Sequence, residues 1–236
     1  MKALTLRLLA SLFLLNTAWL SAADTSAPAK TAPPPTRVAC IGDSITQGVG
    51  VKDQKHNAYP AQLAGLLGER WEVRNFGVSG TTMMKKGDRP YVDRPQYRTA
   101  LEYKPEVVVI ALGTNDSKPQ NHETNPDDFG PSYRDMIAEF RKVNPDVRIY
   151  ACLPPPAFPE NWGIRDSVIV QKLIPIIKQV AKDENVSVID LHTALEGKDA
   201  CFPDKVQPNE EGAKLIAQTV RSGLVPANMD ILSPVK

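Results

Sequence analysis

Ser44 is the residue around which the chemistry of this chain can be organised. It follows the short apolar run Val38-Ala-Cys-Ile41 and the pair Gly42-Asp43. A continuous apolar run of this kind suits a strand buried on both faces. Residues just past the carboxyl end of such a strand in an open α/β sheet face the ligand crevice, where a serine can act as a nucleophile. The same serine could instead cap the helix that follows, and this stretch alone leaves both roles open. Three later segments carry residue types that fit the nucleophile: Asn75-Phe-Gly-Val-Ser-Gly80-Thr-Thr, Gly113-Thr-Asn115-Asp116, and Asp204-Lys-Val-Gln207-Pro-Asn209. Together they suit acyl transfer. The tetrahedral intermediate carries negative charge on the former carbonyl oxygen, and losing one preorganised donor to it costs about 2.7–4 kcal/mol. The backbone N–H groups of Ser44 and Gly80 and the side-chain amide of Asn115 are three candidate donors. Turn chemistry at the glycines and an Asx-turn at Asn115 are the plainer alternatives.

These segments need a scaffold that brings them to one edge, and the rest of the chain reads as one. Strand-like runs recur at Val38–Ile41, Trp71–Phe76, Val107–Leu112, Val147–Leu153 and Val186–Leu191. Helical patterns lie between them. One opens at Tyr59-Pro60, and another places Phe129, Tyr133, Ile137 and Phe140 on one face. A third spans Val168 to Ala181, where Pro175 predicts a kink. The last runs from Asn209 to about Leu224. Alternation of this kind predicts a five-stranded parallel sheet covered by helices. All four polar segments then fall on its carboxyl edge.

The blocks GDSIT (42–46), NFGVSGTT (75–82), GTND (113–116) and DKVQPN (204–209) resemble the four blocks of the GDSL, or SGNH, hydrolase family. The resemblance runs from about Val38 to Val220. It implies a flavodoxin-like three-layer α/β/α sandwich and serine esterase chemistry with no metal or other cofactor. Carried onto this chain, it makes Ser44 the nucleophile, Gly80 and Asn115 the partners of Ser44 in the oxyanion hole, and Asp204 the residue that orients the base. The strings GTNDSKPQN (113–121) and LPPPAFPENWGI (153–164) further resemble secreted bacterial carbohydrate O-acetylesterases.

One departure outweighs the matches. The family's last block reads Asp-x-x-His, and here Gln207 stands in the histidine's place. A histidine activates serine by accepting its proton and later returning it; a neutral amide cannot hold that proton near pH 7. Loss of the histidine alone can cost about 10⁶ in turnover, or roughly 8 kcal/mol. The chain has three histidines, His56, His122 and His192. His192, just past the fifth strand, is the first candidate for a substitute base, and His122, after the GTND block, is the second. Lys85, Lys86 and Arg89 are candidates for a substrate rim or for an ordinary solvated face. The resemblance therefore implies an exported esterase acting on small acyl, notably acetyl, esters of carbohydrates. Gln207 raises the alternative of a catalytically impaired protein that binds acylated carbohydrate.

Composition is consistent with this reading. With 236 residues, 42% of them hydrophobic, the chain can bury one substantial core. Lys2 and Arg7, the apolar run Leu8–Leu20 and the small residues Ser21-Ala22-Ala23 read as a signal peptide over 1–23. The expected location is periplasmic or extracellular, with no stable membrane anchor after cleavage. Residues 24–36, with four prolines, read as a linker, 37–225 as the domain and 226–236 as a loose tail. Cleavage would shift the formal charge from +1 to −1 by removing two cations, which gives no reason to expect a nucleic-acid partner. Cys40 and Cys152 fall in apolar strands and Cys201 in a loop, a pattern without zinc-site spacing.

Overall fold

The computed structural model describes residues 33–158 and 161–225. The expected signal peptide, nearly all of the linker and the C-terminal tail lie outside the described residues. The strands are β1 (Thr36–Gly42), β2 (Trp71–Asn75), β3 (Val107–Ala111), β4 (Arg148–Leu153) and β5 (Ser187–Asp190). Thus β1 begins at the last residue assigned to the linker. All neighbouring pairs are parallel, in the order β2-β1-β3-β4-β5. This is the flavodoxin-like order, and it changes direction between β1 and β3, where a ligand crevice opens.

Alternate side chains of the strands feed two cores. Ala39, Ile41, Val108, Ile110 and Ala151 face one way, onto helices Pro95–Glu102, Phe129–Val143 and Ile174–Asp183. Val38, Cys40, Val107, Val109 and Cys152 face the other way, onto helices Tyr59–Leu67 and Glu210–Leu224. Each fully buried Val, Leu, Ile or Phe side chain contributes about 1.5–3 kcal/mol. A strand flanked by helices on both sides must be apolar at every position, which is why the strands could be read as runs. The fold is a three-layer α/β/α sandwich.

The helix ends have local causes. Pro60 sits in the first turn of Tyr59–Leu67, where its missing N–H costs nothing, and Gly68 ends that helix at φ 78°. Asn209 caps Glu210–Leu224 by accepting the Gly212 N–H at 3.0 Å. Pro175 does not break its helix. The strain appears one turn earlier as a π-turn over Ile169–Leu173, where the Ile174 N–H reaches back to the Ile169 carbonyl. The wider turn relieves the clash of the proline ring with the preceding carbonyls.

The register matters most for function. Gly42 at the end of β1 is paired with Ala111 at the end of β3, so both chains leave the sheet at the same height. A Cβ on Gly42 would collide with the Thr46 side chain and stand 2.7 Å from the Ala111 carbonyl oxygen. Gly42→Ala is therefore expected to destabilise the protein by about 1–3 kcal/mol through overpacking. Chemical denaturation would read this as a lower midpoint, and an unchanged midpoint would refute the close-approach account.

Candidate active site

The sheet edge resolves the two roles open to Ser44. Asp43, not Ser44, caps the short helix Ser44–Gln47, its Oδ1 accepting the Ile45 N–H at 3.0 Å. Ser44 is left with its hydroxyl free of capping and 6% exposed. Its Oγ accepts a hydrogen bond from Gln207 Nε2 at 2.9 Å. Ser44, Gly80, Asn115 and Gln207 line one pocket of about 250 Å³, with Lys118 and Trp162 also on its wall.

The expected oxyanion donors stand in this pocket. Gly80 has φ 77°, the left-handed region that a residue with a Cβ seldom adopts. Among the described residues, neither the Gly80 N–H nor the Ser44 N–H has a protein acceptor. Gln47 Oε1 accepts the Ser79 N–H at 2.7 Å and so ties the Gly80 turn to the helix Ser44–Gln47. Asn115 opens a 3₁₀ turn, Asn115–Ser117. Its Nδ2 donates to the Thr81 carbonyl at 3.0 Å and approaches Asp43 Oδ2 at 3.5 Å. The first bond aims the amide. The second is long enough to be exchanged for a better acceptor.

The Asp204–Gln207 segment is held by its own carboxylate. Asp204 Oδ1 accepts the backbone N–H groups of Val206 at 2.9 Å and Gln207 at 2.6 Å, and Lys205 between them is left-handed at φ 76°. The carboxylate thus holds its own loop. Gln207 Nε2 is separated from Cα by four bonds, as is Nε2 of a histidine, so it reaches the place of a base nitrogen. It arrives there as a donor, whereas a base must accept. Its other end, Oε1, is buried without a hydrogen-bond partner. A buried acceptor left unpaired typically costs about 1–3 kcal/mol.

No histidine fills the gap among the described residues. His192 does follow β5, but β5 lies three strand spacings from β1, roughly 14 Å. Its Nε2 is 3.3 Å from Asp166 Oδ1 instead. His122 ends the helical turn Pro119–His122; its Nδ1 is buried and unpartnered, and burial with Arg165 and Lys172 nearby lowers its pKa. His56 pairs with Asp53 at the surface. Neither His192 nor His122 lines the pocket or bonds to Ser44, so neither candidate for a substitute base stands at the serine. Of the basic rim candidates, Lys85 pairs with Asp135 at 2.6 Å. Lys86 bonds through its backbone N–H to Asp128. Arg89 lies beside Gly80, its Cδ 3.6 Å from where a Cβ would stand.

Residues 40–215 match the GDSL-like Lipase/Acylhydrolase family. The chain belongs to that family. It is 40% identical over 210 residues to an acetylxylan esterase of Xylanibacter ruminicola, an alignment that covers 80% of this chain and 43% of that protein. The chain spans less than half the length of the curated relatives it matches. Its fold resembles a carbohydrate acetylesterase from Sinorhizobium meliloti, with a TM-score of 0.61 at 20% identity over 80% of this chain and 98% of the other. It also resembles a family two carbohydrate esterase from Clostridium thermocellum solved with cellohexaose, with a TM-score of 0.62 at 22% identity over 81% and 65%.

Two residues of this GDSL-family site were not singled out by the sequence reading. Asp43 and Asp116 are both buried beneath the pocket. Asp116 accepts the Met83 N–H at 3.0 Å and the Met84 N–H at 2.8 Å, one on each oxygen, and so anchors the segment after Gly80. Burial pushes the pKa of each up to about 7, with the Asp43 charge adding to the rise at Asp116. Both lie inside the GDS and GTND strings, but no periodicity foretells that they are buried near one another.

The consequence for stability has a definite sign. A carboxyl whose pKa is raised on folding holds more protons in the native state than in the unfolded one. Its favourable contribution is complete below the unfolded pKa near 4 and is lost as pH rises through about 7. Asp116→Asn should remove part of this loss, so the variant's unfolding free energy should fall less steeply than the wild type's between pH 4 and pH 7. Parallel slopes in denaturant titrations across that range would show that Asp116 is not the group responsible.

Proposed function

We propose that this chain is an exported serine esterase domain for acetyl esters of carbohydrates, with its turnover held low by Gln207. The family, the acetylxylan esterase relative and the pocket built on Ser44 support the reaction class. In the productive sequence, Ser44 Oγ attacks the acetyl carbonyl carbon. The oxygen charge that develops is met by the Ser44 and Gly80 N–H groups and the Asn115 amide. The sugar hydroxyl then leaves, and water hydrolyses the acetyl-serine. Each half-reaction needs a group that takes a proton and gives it back.

One observation carries the reading of low turnover. The group bonded to Ser44 Oγ at 2.9 Å is an amide N–H donor. It holds the serine oxygen in position and takes no proton from it. What remains is the oxyanion hole and binding, which together can supply about 10³–10⁴ over water in a serine hydrolase stripped of its triad. The same contact favours a second reading, a domain that retains the pocket in order to bind acylated carbohydrate.

The two readings separate on one substitution. Gln207→His puts a base nitrogen where Nε2 now stands and offers a donor to the outer oxygen of Asp204. We expect kcat on a small acetyl ester and on acetylated xylo-oligosaccharide to rise by about 10³-fold or more, and Ser44→Ala in that background to abolish the gain. If the unaltered protein already turns over at ordinary esterase rates of about 1–10³ s⁻¹, the low-turnover reading is wrong. If Gln207→His gains no turnover on either ester, the binding-only reading is favoured.

A further inference from the structure

Trp162 is the feature of this pocket that neither packing nor the acyl chemistry uses. It is 55% exposed, whereas Trp71 is 7% exposed in the core. A large apolar side chain left in water at the wall of the Ser44 pocket gives up the stabilisation that burial would provide. Its backbone is also in an unfavourable conformation. Trp162 has φ 51° and Gly163 has φ 74°, two left-handed residues in succession. Strained backbone of this kind persists where surrounding contacts over-determine it, and such places cluster at ligand sites.

Those contacts are present. Asn161 Oδ1 accepts the Trp162 N–H at 2.9 Å, and Asn161 Nδ2 donates to the Asp204 carbonyl at 2.9 Å. The Asn161 carbonyl accepts the Ile164 N–H at 2.9 Å, closing the turn. A second tie runs from the Phe158 N–H to the Lys205 carbonyl at 2.9 Å. The turn that presents the indole is thus fastened to the loop carrying Asp204 and Gln207. An exposed indole on a fixed mount offers a flat, apolar, electron-rich face. The matching chemistry is the C–H face of a pyranose ring, whose hydroxyls remain at its edge for polar partners. Ser79 and Lys118 line the same pocket, and the Lys118 charge acts on the buried Asp43 carboxyl.

We propose that Trp162 is a stacking platform for the pyranose ring of the acetylated carbohydrate, held in place by Asn161. This rests on the carbohydrate-ester reading and adds the residue that distinguishes a sugar ester from a simple one. The sugar lies against the indole and its acetyl group points down to Ser44.

The test uses the full chain and xylohexaose as probe, with tryptophan emission and calorimetry read together. Xylohexaose should change the emission of the wild type saturably. Trp162→Ala should lose that change and bind about tenfold more weakly, and Trp162→Phe should recover part of the affinity. The far-ultraviolet spectrum and the denaturation midpoint report whether each variant is folded. Equal calorimetric affinity in wild type and Trp162→Ala overturns the proposal, as does a wild type that does not bind xylohexaose. The esterase reading is tested separately. If Gln207→His hydrolyses acetylated xylo-oligosaccharide with a KM that Trp162→Ala leaves unchanged, the platform fails and the esterase reading stands. If Gln207→His stays inactive while xylohexaose binding depends on Trp162, the esterase reading fails and the platform stands.

Discussion

The side-by-side exit of β1 and β3 from the sheet is the constraint on which the rest of this site depends. Their paired ends, Gly42 and Ala111, fix where Asp43-Ser44 and Gly113–Asn115 emerge. The close fit at Gly42 leaves no room for a side chain. Because the strand order reverses here, no crossover helix covers the gap. The Gly80 turn and the Asp204–Gln207 loop then close over it from two other connections. A pocket built from four separate segments is only as precise as the ladder that aligns them, and a parallel ladder with helices on both faces is among the stiffest parts of a domain.

Beneath that pocket the polar groups are organised by burial. Asp43 caps the helix Ser44–Gln47 and approaches the Asn115 amide, while Asp116 fastens the backbone at Met83 and Met84. Two buried carboxylates are a costly foundation unless well bonded. Here backbone N–H groups bond both oxygens of Asp116 and one of Asp43, and the raised pKa values reflect the burial that remains uncompensated. The same groups that lock the oxyanion donors in place thus make the domain's stability sensitive to pH near neutrality.

Gln207 illustrates how a site can keep its shape and change its chemistry. Its Nε2 reaches Ser44 Oγ, its backbone N–H is gripped by Asp204, and its burial matches that of its neighbours. Its Oε1 is buried without a hydrogen-bond partner. An amide and an imidazole have similar reach, but their basicities differ by many orders of magnitude. On the proposed reading, Ser44 has donors for its transition state, and the side chain bonded to its hydroxyl is an amide that takes no proton.

Much of this was legible in the chain itself. The five strands are visible because residues buried on both faces must be apolar without interruption, and the segments bearing Ser44, Gly80, Asn115 and Asp204 are visible because they interrupt the pattern at strand ends. That the side chain at 207 is no base is legible too, since basicity belongs to the residue type and not to its surroundings. Tertiary structure decided what depends on distance. His192 stands at the right edge of the sheet and the wrong strand, a difference of three strand spacings that no local pattern encodes. The capping role passed from Ser44 to Asp43 through one hydrogen bond. Asp43 and Asp116 became a buried pair, and Trp162 was left exposed at the pocket wall, through contacts between segments far apart in sequence. Residue type determines what a group can do chemically, and only the folded chain determines what it is close enough to do it to.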